Sequence, residues 1–381
     1  MKILHFIEGR CNADSANGVD KTIYYLTRAQ AALGHEVHIV SETEKELIPI
    51  PGVVLHRTAP TKGYLRCPQE VKDIIDKVKP DVGHFHSAYV TGNICVSRHM
   101  RRRGIPYAVT PNGNCSRVLL TRRPWLKIPY KLLLERPYMN RAAFVHSVGD
   151  RREIEHYGIT VPIVDALNGI DPDTIPDHFD TECLMKEVPA FKDHFVCAFV
   201  GRLDIEQKGL DLLVEAVKKI KNDGIKVGIL LIGPEWKGSK KRIEEHVREA
   251  GVKEHFHFYG PAYGDKKFDL LVGADVFIYP SRWEGLPFAV VEAMAAGQLC
   301  LVTPASDPAG LLAKDEAGVV FPTSVDGIAD GIRRAAKLSE DERKALLSQS
   351  ARIVREEMNW EGIARKVIES YEKAVVPEES K

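Results

Sequence analysis

The run Ser281-Arg282-Trp283-Glu284-Gly285-Leu286-Pro287-Phe288-Ala289-Val290-Val291-Glu292-Ala293-Met294-Ala295 decides how this chain is read. It follows the apolar stretch 274–280 (ADVFIYP), which predicts a buried strand. Gly285 allows a sharp turn, and Pro287 suits the first position of a helix, where its missing N–H is not needed. Residues 288–296 then predict that helix. A strand, a glycine turn and a helix start bring several free backbone N–H groups to one point, which favours an anion. Glu284 and Glu292 flank that point. An ionised carboxylate only accepts hydrogen bonds, so beside a bound phosphate it serves hydroxyl donors, and sugar hydroxyls fit.

The preceding segment repeats the pattern. A strand over 195–200 leads into Gly201-Arg202-Leu203-Asp204-Ile205-Glu206-Gln207-Lys208-Gly209, then a helix over 210–221 and a strand over 226–233. Two cations flanking a glycine-containing loop suit a diphosphate, with Arg202 as a bidentate fork and Lys208 as a point charge. Further strands are expected at 256–260 and 299–303, and an amphipathic helix at 359–375. The N-terminal half has its own alternation. A strand over 2–7, a small-residue loop, Gly18, a helix over 19–33 ended by Gly34, and a strand over 35–41 form one βαβ unit. Strands near 53–57, 81–86, 107–110, 142–148 and 161–167 follow, with helices at 69–78, 91–102 and 151–157. No G-x-G-x-x-G occurs, which argues against a standard NAD site. The fold class is therefore α/β, with two doubly wound halves.

Three of these features, taken in order, resemble the retaining glycosyltransferases of family 4: Gly18 after the first strand, the G-R-x5-K-G of 201–209, and Glu284 with Glu292 as E-x7-E. The resemblance covers nearly the whole chain and implies the GT-B fold. Residues 1–170 would form a Rossmann-like acceptor domain, 171–358 the nucleotide-sugar domain, and the helix at 359–381 would cross back, leaving the active site in the cleft between the domains. By the same resemblance Arg202, Lys208 and Glu284 are catalytic. Gly18, Gly260, Gly285, Leu286, Pro287, Phe288 and Glu292 bind the donor, with the base packed near 258–261. The implied reaction transfers a sugar from a nucleotide-sugar, a UDP-sugar being favoured, with retention and without metal or other cofactor. Many family members carry His before Gly in the loop after 107–110. This chain has Asn112, so no catalytic His is carried over there, and Asn112 is left with His86 as an acceptor-side residue.

Length and composition agree with two soluble domains: 381 residues, 44% hydrophobic and 28% charged. The N-terminus lacks a signal-peptide pattern, and no apolar run reaches the ~18 residues of a membrane span. Seven scattered cysteines without C-x-x-C argue for a reducing, cytoplasmic setting. Net charge is zero, yet residues 98–141 hold eleven Lys/Arg and one acid, Glu135. With the aromatic run RRPWLKIPY at 122–130, this segment is expected to meet an anionic membrane surface, placing the protein peripherally on the inner face, with a glycan or lipid-linked acceptor. No nucleic-acid module is recognisable. The pair His84-x-His86 has metal-binding composition, but the two are placed on opposite strand faces with no third ligand evident, so His84 is assigned to the core. Asp171-Pro172-Asp173 spells a metal motif of another glycosyltransferase fold but falls in a linker. The rival readings are a nucleotide-sugar 2-epimerase, a non-catalytic sugar-nucleotide-binding subunit and, disfavoured, an NAD-dependent oxidoreductase.

Overall fold

The computed structural model describes residues 1–13, 18–60, 66–112, 115, 124–149, 151–285 and 287–375. The chain divides into two compact units, Met1–Gly169 with Glu357–Lys381, and Ile170–Glu356.

The first unit is built on a seven-stranded, all-parallel sheet: β1 (Lys2–Glu8), β2 (Glu36–Glu42), β3 (Val53–Thr58), β4 (Val82–His86), β5 (Tyr107–Thr110), β6 (Phe144–Ser147) and β7 (Ile163–Asp165). Their spatial order is β3-β2-β1-β4-β5-β6-β7. The second unit repeats the plan with β8 (Phe195–Val200), β9 (Val227–Ile232), β10 (Phe256–Gly260), β11 (Val276–Tyr279), β12 (Cys300–Val302) and β13 (Val319–Val320), in the order β10-β9-β8-β11-β12-β13. Helices cover both faces of such sheets, so the central strands are apolar in a run rather than alternating. β9 (VGILLI) is buried at every position. In each sheet the order reverses beside the first strand, between β1 and β4 and between β8 and β11. Ligands bind at the strand C-termini of such a switch point.

The helices follow their apolar periodicity. Gln69–Val78 buries Val71, Ile75 and Val78, and ends at Lys79, whose left-handed φ of 51° lets its N–H reach the Ile75 carbonyl. The helix Trp360–Val375 buries Trp360, Ile363, Val367 and Tyr371 within the first unit, and Trp360 stacks on Tyr25 at 5.6 Å.

One local expectation is corrected, and one helix is found where none was expected. Pro287 precedes its helix, with φ −76° and ψ 108°, and the helix starts at Phe288. The run 124–139 is helical throughout, as Pro124–Tyr130, a π-helical turn Lys131–Glu135, and Arg136–Met139. Its two internal prolines, Pro129 and Pro137, hide the helix from a periodicity reading. The wide π turn lies between them, where the prolines disrupt the regular i to i−4 ladder.

Candidate functional site

In the second unit the strand ends of β8 and β11 are stitched together through their loops. Gly209 sits at φ 65°, and a Cβ there would meet the Pro280 carbonyl oxygen at 2.1 Å. A Cβ on Gly233 would lie 1.8 Å from the Gly201 carbonyl oxygen. These positions demand glycine because backbone touches backbone. Arg282 completes the join: its N–H donates to the Gln207 carbonyl at 2.8 Å, and its guanidinium grips Asp211 through two bonds of 2.7 Å. Gln207 in turn donates to the Trp283 carbonyl at 3.3 Å.

That stitching sets Lys208 against Glu284. The Lys208 ammonium donates to Glu284 Oε1 at 2.5 Å and to the Tyr279 hydroxyl at 2.7 Å, with the two charged side chains only 7% and 8% exposed. Burial alone would favour the neutral amine. The Glu284 carboxylate and the Tyr279 hydroxyl outweigh it, and the Lys208 pKa rises, so the lysine stays charged. Arg202 lies 4.3 Å over the Trp236 ring and its charge acts on the Tyr279 hydroxyl. Glu292, inside the helix Phe288–Ala295, accepts from Lys267 Nζ at 2.9 Å. Gly260 ends β10 with φ 91°; its carbonyl accepts the Gly233 N–H at 2.8 Å, and nothing stands within 4 Å of where its Cβ would project. Gly285 is half-buried beside Glu284, Phe288 opens the helix, and Leu286 lies outside the described residues. Arg202, Lys208, Glu284, Glu292 and Gly260 thus share the C-terminal side of one sheet. Sequence reasoning missed Lys267, Tyr279 and Trp236. Each is unremarkable in sequence, and only the fold brings it beside a charged residue.

In the first unit, Gly18 opens the helix Gly18–Ala32, and its carbonyl accepts from the Thr22 hydroxyl at 2.9 Å. Asn112 follows β5 in the left-handed region at φ 53°, which asparagine tolerates, and its amide donates to the Thr110 carbonyl at 3.3 Å. His86 ends β4 and is 2% exposed. The placement of His84 and His86 on opposite faces is wrong, because residues two apart on a strand share a face. Their rings stack at 4.5 Å, and a third imidazole, His5, arrives from β1 in register with His84. Nitrogens of His5, His84 and His86 lie within 4.8 Å of one another. The cluster is nonetheless built for hydrogen bonding. The His86 ring lies nearly parallel to those of His84 and His5, at 22° and 19°; His84 has its two nitrogens bonded to Tyr371 and Thr110, and His5 has one bonded to Gln30 and the other to His86. Asp171 of the D-x-D caps a turn, its carboxylate accepting the Asp173 N–H at 3.2 Å. All seven cysteines are free and buried.

Two doubly wound units, one with the buried Lys208–Glu284 pair at its switch point, define an α/β protein of the class whose ligands bind at the strand C-termini. The sequence profile described as glycosyl transferases group 1 matches residues 180–371, about half of the chain, and that described as Glycosyltransferase Family 4 matches residues 16–174. The chain belongs to the glycosyl transferases group 1 family. It is 29% identical over 218 residues to the uncharacterized glycosyltransferase MJ1607 of Methanocaldococcus jannaschii, covering 55% of this chain and 53% of that protein. The match thus spans about half the length of that relative. It is 24% identical over 288 residues to the UDP-Gal:alpha-D-GlcNAc-diphosphoundecaprenol alpha-1,3-galactosyltransferase of Escherichia coli, covering 73% and 71% of the two chains. Among solved structures it resembles Anabaena HepE in complex with UDP-glucose, with a TM-score of 0.74 and 15% identity over 98% of this chain and 100% of that one. The fold is therefore GT-B, as the sequence resemblance implies.

Proposed function

We propose that this protein is a retaining glycosyltransferase that moves a sugar from a nucleotide-sugar, with a UDP-sugar favoured, to a glycan or lipid-linked acceptor. The observation that carries the reading is the buried Lys208–Glu284 pair beside Tyr279, at the switch point of the second sheet. As the glycosidic bond breaks, negative charge builds on the diphosphate. Lys208, Arg202 and the amides around 285–288 stabilise it, the electrostatic contribution that usually dominates. Glu284 orients the donor sugar, and Glu292, steadied by Lys267, takes the ribose hydroxyls. With two cations at the diphosphate, no metal is required. UDP is favoured because the Escherichia coli relative is a UDP-Gal galactosyltransferase and the Anabaena structure is a complex with UDP-glucose.

The test is nucleotide release from UDP-, GDP- and ADP-sugars in EDTA, for wild type and Glu284→Ala. Slow hydrolysis of one donor, lost in the variant, supports the reading. Equal turnover by wild type and variant, or activity only with added metal, contradicts it. An epimerase would interconvert free UDP-sugars without an acceptor.

The acceptor is proposed to be membrane-proximal. The helix 124–139 exposes Trp125 (71%), Leu126, Ile128, Leu132 and Leu133 (74%) among Lys127, Lys131 and Arg136. Apolar bodies with cationic heads suit an anionic bilayer surface. Arg122 and Arg123 lie outside the described residues. A Trp125→Ser/Leu133→Ser variant is expected to lose binding to phosphatidylglycerol vesicles at low salt while keeping donor hydrolysis. Unchanged vesicle binding would sink this part alone.

A further inference from the structure

The histidine cluster of the first unit continues into a longer chain of contacts, and its polarity can be deduced. His146 Nε2 lies 2.7 Å from the Ala166 carbonyl, which only accepts, so Nε2 carries the proton. A neutral imidazole has one N–H, so His146 Nδ1 accepts, and the Thr110 hydroxyl 3.0 Å away donates to it. Having given its only proton, Thr110 accepts from His84 Nε2–H at 2.6 Å. His84 Nδ1 is then an acceptor, and the Tyr371 hydroxyl donates to it. Tyr371 oxygen in turn accepts from the Gln30 amide at 3.4 Å, which orients that amide and turns its oxygen toward His5 Nε2–H at 2.8 Å. His5 Nδ1 must then accept, so His86 Nε2, 2.9 Å away, donates. His86 Nδ1 is left with a bare lone pair, and it is buried without a partner.

Every step requires neutral imidazoles. Burial holds them so: His5 and His146 are lowered to about 4, and His84 and His86 well below their usual value. Four histidines, one glutamine, one threonine and one tyrosine thus form a consistent one-way path, and one backbone carbonyl sets its direction. Hydrogen bonds in such chains polarise one another, so the far end, His86, becomes a better acceptor.

We propose that this relay, from Ala166 through His146, Thr110, His84, Tyr371, Gln30 and His5, locks His86 in the Nε2–H tautomer and aims its Nδ1 lone pair at a hydroxyl of a bound ligand. The chemical class is a neutral polyol, because the open position is a neutral imidazole lone pair that only accepts, and the side-chain oxygen of Asn93, whose amide donates to the His86 carbonyl at 3.0 Å, is likewise a buried acceptor without a partner. Attributing that hydroxyl to the sugar acceptor rests on the reading above; the relay itself does not. His86 is the binding residue, and the other members are positioning residues. Tyr371 makes the helix Trp360–Val375 part of the device.

Long-range proton–nitrogen NMR of the histidines in the full chain tests this without donor or catalysis. At pH 7, His5, His84, His86 and His146 are expected to be neutral and protonated at Nε2. An Nδ1–H tautomer or a positive charge at any of the four overturns the relay. Gln30→Leu removes the acceptor for His5 Nε2–H, so His5 and His86 are expected to become tautomer mixtures while His146 stays fixed. A structural role alone would lower stability and leave the tautomers unchanged, and that result also overturns it. For the ligand, a panel of methyl glycosides is titrated into wild type. A shift at His86 Nδ1 supports the polyol, whereas saturation without that shift, or no response to any glycoside, removes it. Zinc titration that moves His5, His84 and His86 together would replace it with a metal site. Failure of the donor reading appears instead in the Glu284→Ala assay, which probes the other unit.

Discussion

The two units share one architecture and differ in what lines their switch points. Between β8 and β11 stand ionised pairs, Lys208 with Glu284, and nearby Lys267 with Glu292. Between β1 and β4 stand neutral imidazoles, with His86 stacked on both His5 and His84. The backbone offers both edges the same geometry; the side chains decide what each receives. A charged edge can compensate a diphosphate, whereas a neutral, directed edge can only sort donors from acceptors. Fold alone therefore does not assign the ligand, and the site chemistry does.

The sharpest way to break this contrast is Lys208→Ala. Turnover is expected to fall by about 10²–10³, and stability by roughly 3–5 kcal/mol, because Glu284 is left buried and unpaired. Activity within about threefold of wild type would contradict the charged role. Lys208→Met/Glu284→Gln sharpens the point: denaturant melts should recover most of the stability while turnover stays lost.

Acid separates the units next. His5 and His146 titrate near 4 when folded and near 6.5 when unfolded. Between those values the unfolded chain binds more protons, so stability rises with pH through the window and is lost as pH falls. Each histidine contributes about 3 kcal/mol of this. Hydrogen exchange at pH 5 should therefore speed up in β1, β4 and β6 before it does in β8 and β11. Equal acceleration in both units would remove the contrast.

A smaller effect of opposite sign comes from Glu135. This carboxyl is 1% exposed, accepts the Tyr89 N–H at 3.1 Å, and burial raises its pKa from 4.5 to about 7. The folded state binds more protons between those values, so this group's contribution to stability falls as pH rises through them. Glu135→Gln should stabilise the first unit by roughly 1–3 kcal/mol above pH 7 and by little at pH 4, as read by melts at the two pH values. The smallest effect is expected at Lys267→Ala. That pair is more exposed, at 14% and 11%, so about 1 kcal/mol of stability is at stake, with a rise in donor KM rather than a loss of turnover.

Much of this was legible in the sequence. Gln69–Val78, Thr91–Arg102, Tyr107–Thr110 and Phe195–Val200 have the bounds their patterning gives, because each is a short periodic or apolar run closed by Gly, Pro or polar residues. Arg202, Lys208, Glu284 and Glu292 stand out by spacing, since each sits at a fixed offset from a strand end or helix start. What escaped is of two kinds. The helix 124–139 is masked by its prolines, which a local pattern penalises and a π turn accommodates. The partners Tyr279, Lys267, His5, Gln30 and Tyr371 carry no local signal at all. Tyr371 and His84 are 287 positions apart, yet they share a hydrogen bond. By itself the sequence determined the alternation of strands and helices, the two-unit plan and the residues at the strand ends, because those depend on neighbours within a few positions. Only the tertiary structure decided which charges pair and which imidazole is left with an open lone pair, because strand register and burial set distances, protonation and tautomers.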